Sequence, residues 1–112
     1  MNKETLSVIV LGEFSTQAQK IILNSAGIMG MDMTAWFTRP KPDEIVRATF
    51  CSIMMCSPEI FKDYEDFLTK CSRETKILVA TEKDEIDFVL PDSISLVFVD
   101  KRIHDLIGRL PR

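Results

Sequence analysis

Three short stretches that are apolar on both faces constrain this chain more than any other feature: residues 6–12 (LSVIVLG), 49–56 (TFCSIMMC) and 76–81 (KILVAT). A strand with one wet face alternates apolar and polar residues, whereas a strand covered on both faces does not. Such runs require a sheet sandwiched between helices. Parallel pairing supplies one, because each crossover lays a helix on a face of the sheet.

The segments between the runs carry the helices. Ser15 is an N-cap residue type, and Ala18, Ile21, Ile22 and Ala26 follow at helical spacing, with Gly27 as the expected stop. Residues 31–38 (MDMTAWFT) alternate, with Met31, Met33, Ala35 and Phe37 on one face, which predicts a strand at a sheet edge. Pro42 suits the first position of a short helix, and Asp43 and Glu44 complement its dipole. Ser57-Pro58-Glu59 is the clearest helix start, and Phe61, Tyr64, Leu68 and Cys71 form the buried stripe that follows. Residues 84–90 read as a brief helix or a loop before Pro91, and residues 95–100 (SLVFVD) as the last strand. Ile103, Leu106, Ile107 and Leu110 mark one face of a closing helix, ended by Pro111. Five strands alternating with four or five helical segments predict a single α/β domain over residues 1–112. It is a doubly wound, three-layer sandwich with a mostly parallel sheet in the order 2-1-3-4-5.

Charge and cysteine content narrow the function classes. With 14 basic and 17 acidic residues, the net charge of −3 argues against direct nucleic-acid contact, which normally shows as a basic stripe. Cys51, Cys56 and Cys71 have no paired spacing. If residues 49–56 are one strand, the odd separation of Cys51 and Cys56 puts them on opposite faces and makes them buried structural thiols. A reduced, cytoplasmic setting is then expected. The first apolar run is too short to span a membrane and carries no cleavage-site pattern.

In a sheet of this order, ligands collect beyond the carboxyl ends of the strands, where the order reverses. Those ends carry Glu13, Ser15, Ser57, Thr81 and Lys101. In this respect the chain resembles the response-regulator receiver domain, of flavodoxin-like topology. That family places an acidic pair after its first strand, a phosphoacceptor aspartate after its third, a Thr or Ser after its fourth and a lysine after its fifth. Thr81 and Lys101 match by position, and Glu13 stands for one acid of the pair. No Asp or Glu lies between Glu44 and Glu59, so the third strand has no carboxylate to phosphorylate. The resemblance therefore implies a degenerate receiver: a noncatalytic regulatory domain in signalling or transcription regulation that works through a homodimer or a protein partner. It further implies pairing through the last helical edge. That edge carries Lys83, Asp84 and Glu85 opposite Lys101, Arg102, Asp105 and Arg109.

The same residues have structural readings. Thr81 suits a cap or turn, Lys101 a solvated helix-start charge, and Glu13 a complement to the helix begun at Ser15. The interface residues also read as ordinary solvated charges. His104 lies on the polar side of the closing helix, and the methionines follow the strands as core filler. The first turn, residues 12–17 (GEFSTQ), holds neither GxxxxGK[ST] nor GxGxxG, although the amides of a helix start at residues 15–18 suit an anion. No cofactor or metal is expected. The alternative is a small flavodoxin-like ligand-binding or enzyme domain that uses the strand-end crevice.

Overall fold

The first described element is β1 (Ser7–Leu11), which lies inside the sheet because its side chains are apolar in both directions. The computed structural model describes residues 7–29, 32–82 and 86–99. After β1 come α1 (Thr16–Met29), β2 (Asp32–Trp36), α2 (Pro42–Ala48), β3 (Ile53–Cys56), α3 (Pro58–Asp63), α4 (Glu65–Cys71), β4 (Lys76–Thr81) and β5 (Ile94–Phe98). The strands form one five-stranded sheet in the order β2-β1-β3-β4-β5, and every neighbouring pair is parallel. This is the flavodoxin-like order expected from the sequence.

Parallel strands with right-handed crossovers decide which face each helix covers. The chain steps from β1 to β2 in one direction, then reverses across β1 to reach β3, so α1 lies on one face and α2 on the other. The cores reflect this. Val8, Val10, Ile53, Met55, Leu78 and Ala80 point to the face shared with Ala18 and Ile22 of α1. Ile9, Leu11, Met54, Cys56, Ile77 and Val79 point to the face shared with Ile45, Phe61 and Leu68. The period-2 alternation along each run is therefore hydrophobic on both phases. At the edge, β2 exposes Asp32, Thr34 and Trp36 and half-buries Met33 and Ala35, as its alternating sequence predicts.

Local signals placed three helix starts correctly, the first being α1, which begins at Thr16 directly after Ser15. Pro42 opens α2, where the Lys41 N–H donates to Glu44 Oε1 at 2.8 Å, and Pro58 opens α3 behind Ser57.

The structure differs from the sequence expectations at five places. Gly27 does not end the first helix, which runs on to Met29. An interior glycine costs only about 1 kcal/mol relative to alanine, so it stops a helix only where the backbone turns left-handed. The third strand is shorter than residues 49–56. Thr49, Phe50 and Cys51 donate their N–H groups to Val46, Arg47 and Ala48 carbonyls, closing α2 with a turn, and only Ile53–Cys56 pairs. Cys51 therefore leaves the strand alternation and packs with Cys56 and Cys71 on the same side of the sheet, not on opposite faces. The single helix expected after Ser57 divides at Tyr64 (φ −126°, ψ 30°), yet Phe61, Tyr64, Leu68 and Cys71 still pack on one core. Of the two readings of residues 84–90, the described residues 86–90 take the loop, from which Phe88 and Leu90 pack against the sheet. The last strand is Ile94–Phe98, one residue earlier in its start and shorter in its end than residues 95–100. The closing helix with Ile103, Leu106, Ile107 and Leu110, and His104 with it, lies outside the described residues. Among the described residues no helix is long and apolar enough to cross a membrane.

Candidate functional site: the crevice at the strand ends

The reversal of direction after β1 opens a gap at the carboxyl ends of β1 and β3, because the connections leave toward opposite faces. Three backbone hydrogen bonds carry the parallel ladders past the strand ends and fix the floor of this gap. Gly12 N–H donates to the Trp36 carbonyl at 3.1 Å, Ser57 N–H to the Leu11 carbonyl at 3.1 Å, and Val99 N–H to the Thr81 carbonyl at 2.9 Å. Gly12 takes φ +125°, and a Cβ there would lie 2.6 Å from Ser57 Oγ and 2.8 Å from Ser57 Cβ. The two strand ends thus meet as closely as they do because one of them lacks a side chain.

Above this floor is a cavity of about 470 Å³ lined by Glu13, Phe14, Ser57, Pro58, Glu59, Lys62, Ala80, Thr81, Glu82, Ile86, Asp87 and Phe88. A second hollow of about 200 Å³ adjoins it along Gly12, Glu13, Ser57, Glu59 and Ile60, where Arg39 pairs with Asp63 at 2.6 Å. Three of the strand-end residues expected to meet, Glu13, Ser57 and Thr81, therefore line one cavity. Ser57 and Thr81 are buried and Glu13 is exposed. Lys101 lies outside the described residues, as do the interface residues Lys83, Asp84, Glu85, Arg102, Asp105 and Arg109.

Ser15 plays the capping role expected of it. Its hydroxyl accepts from the Ala18 N–H at 3.1 Å and its carbonyl from the Gln19 N–H at 2.9 Å. Its other partner was not legible in the sequence. Glu82, the first residue after β4, accepts the Ser15 N–H at 3.0 Å through Oε2 and the Ser15 hydroxyl through Oε1. A carboxylate from across the sheet thus occupies the positive end of α1, where an exogenous anion was the alternative. Residues 82 and 15 are 67 positions apart, so no local pattern links them. Replacing Ser15 with alanine removes the cap and the hydroxyl that donates to Glu82 Oε1, while the backbone N–H of residue 15 still donates to Oε2. We expect a loss of about 1–2 kcal/mol in urea unfolding. Ser15→Ala and Glu82→Gln combined should cost less than the sum of the two; strict additivity would show that the cap and the carboxylate do not act as a unit.

On the far wall Phe88 stacks on Phe61 with ring centroids 5.7 Å apart, and Lys62 Nζ lies 5.5 Å from the Phe88 centroid. The same ammonium is 3.9 Å from Asp87 Oδ1. On the opposite face Phe14 meets Phe37 edge-on at 6.0 Å, which anchors the turn that carries Glu13.

The end of β3 holds Cys56, and Ser57 follows it. Cys56 is fully buried, and desolvation pushes its thiol from the ordinary 9.0 up to about 12. The folded state therefore holds this proton over a range in which the unfolded chain loses it. The contribution to stability is complete below pH 9 and is lost as the pH rises from about 9 toward about 12. Cys56→Ala should flatten this part of the alkaline unfolding profile. An unchanged slope in the variant would mean that Cys56 is not the titrating group. Ser57 occupies the N-cap position of α3, but its hydroxyl makes no capping bond.

Among the described residues no three His, Cys, Asp or Glu side chains converge as a metal-ligand set. Comparison with known proteins finds no matching family model, no similar curated protein and no similar solved structure.

Proposed function

We propose that the chain is a noncatalytic regulatory domain of degenerate receiver type, acting in signalling or transcription regulation through a second copy of itself or a protein partner. The observation that carries this reading is the end of β3. There the phosphoacceptor position of a receiver is taken by a neutral pair, the fully buried Cys56 thiol and the buried Ser57, whose backbone N–H is already bonded to Leu11. The Glu82 carboxylate supports it, since an internal anion already bonds the Ser15 amide and hydroxyl at the start of α1. The proposed pairing edge runs through Lys83, Asp84, Glu85, Lys101, Arg102, Asp105 and Arg109, charges of both signs suited to a self-complementary contact. Val89, 91% exposed, adds apolar surface next to it in sequence.

The test is an amide NMR spectrum recorded before and after addition of Mg²⁺ and beryllium fluoride, a mimic of an aspartyl phosphate. An unchanged spectrum is the expected result. Shifts clustered at Glu13, Ser57 and Thr81 would mean a phosphate-responsive crevice and would overturn the degenerate-receiver reading. A second reading, a small-ligand domain, is favoured by the cavity itself, whose volume of about 470 Å³ is in the range of ligand pockets.

A further inference from the structure

The crevice has a charge pattern and an unused hydrogen-bonding group that together define a ligand class. Four carboxylates and one ammonium line the larger cavity among the described residues. Two of the carboxylates are engaged: Glu82 with Ser15, and Asp87 near Lys62. Glu13 and Glu59 have no hydrogen bond or ion pair among the described residues, and both line the larger cavity and the hollow beside it. Between these two cavities lies Ser57. It is 3% exposed, lines both, and its hydroxyl has no hydrogen-bond partner among the described residues. No buried side-chain oxygen among the described residues lacks a partner, so the Ser57 oxygen is open to the cavity, where a ligand can bond to it.

We propose that this crevice binds a small organic ammonium ion, its charged head at Glu13, Glu59 and the Ser57 hydroxyl and its apolar body toward Phe14 and Phe88. A phosphate does not suit the site. The Ser15 amide at the start of α1 is bonded to Glu82, whose carboxylate lines the cavity, and the unengaged side chains at the Ser57 end are acidic. The carboxylates do not converge on a point, which suits an extended organic cation better than a metal ion. Lys62 already places one ammonium over the Phe88 ring, so an aromatic wall that accepts a cation is present. The inference rests on the crevice being a ligand site and specifies what that site takes.

The test uses 2-phenylethylamine as probe, with the neutral isostere 2-phenylethanol and inorganic phosphate as controls at matched ionic strength. Amide shifts report where each binds. The amine is expected to shift Gly12, Glu13, Ser57 and Glu59, and Glu13→Gln/Glu59→Gln to weaken it by roughly tenfold. Lys62→Met keeps the contact with Phe88 and removes the competing charge. It should tighten the amine by about threefold and would instead weaken an anion, so the sign of that one effect separates the two ligand classes. Binding of the alcohol as tightly as the amine, or phosphate binding weakened by Lys62→Met, would overturn the ammonium assignment while leaving a ligand site. No shift with any of the three probes would overturn both.

Discussion

Replacing Gly12 with alanine is expected to destabilise the domain by about 2–5 kcal/mol, the sum of backbone strain and a forced contact. The strain arises because φ +125° is a conformation that L side chains rarely adopt. The contact arises because the new Cβ would meet Ser57 Oγ at 2.6 Å and Ser57 Cβ at 2.8 Å, with Ile60 Cδ1 at 3.2 Å. A domain of this size has only about 5–15 kcal/mol to lose, so the urea midpoint should fall steeply. Gly12→Ala/Ser57→Gly separates the two causes. Glycine is tolerated at an N-cap at a cost of a few tenths of a kcal/mol, so the double variant should recover the contact and keep the strain. If the effects of the two substitutions simply add, the close approach of the strand ends is not what requires glycine. The same pair controls the crevice, since the width of the gap between β1 and β3 is set where Gly12 and Ser57 meet.

Phe61→Ala is expected to cost about 3–5 kcal/mol, the range for emptying a fully buried aromatic position. Phe61 has no exposed surface, belongs to the core with Ile45, Leu68 and Val79, and supports Phe88 by stacking. Its loss therefore has a second consequence, at the cavity wall. Amide signals of residues 86–88 should shift in the variant even under conditions where it stays folded. Phe61→Leu preserves most of the buried volume and should cost about 1.5 kcal/mol or less. A loss below about 1 kcal/mol for the alanine variant would mean that α3 is not held to the sheet through this ring. Stability lost without any change at residues 86–88 would show that the Phe88 wall stands without its stacking partner.

Much of this architecture was legible because it is written in contiguous residues. The runs at 6–12 and 76–81 are apolar on both phases, and that pattern has few stable outcomes besides a parallel strand between two helical layers. Pro42 and Pro58 mark helix starts because a proline at the first turn costs no hydrogen bond. Once the element order was read, right-handed crossovers left 2-1-3-4-5 as the natural arrangement, and the sheet has it. The carboxyl ends then brought Glu13, Ser57 and Thr81 into one group before any coordinate was needed, and they line one cavity. What misled was local ambiguity. Residues 49–56 are uniformly strand-like in composition, yet Thr49, Phe50 and Cys51 bond back to α2 instead. Phe50 is 84% exposed there, which no pattern of apolar residues predicts. Phe88 and Leu90 stand two apart, and their burial against the sheet is achieved by an irregular segment.

By itself, then, the sequence determined the class of fold, the number and order of the strands, three of the helix starts and the end of the sheet at which a site forms. Each of these follows from burial and capping, properties of a segment and its immediate neighbours. The tertiary structure alone decided three pairings: Glu82 with Ser15, Gly12 with Ser57, and Phe61 with Phe88. It decided with them that α1 is capped from within and that the unengaged crevice carboxylates are Glu13 and Glu59. Such pairings join residues far apart in the chain, most of them in the turns beyond the strand ends, and their geometry depends on the twist and register of the whole sheet. No stretch of the chain contains both partners in a pattern that its own hydrophobic period or turn chemistry enforces.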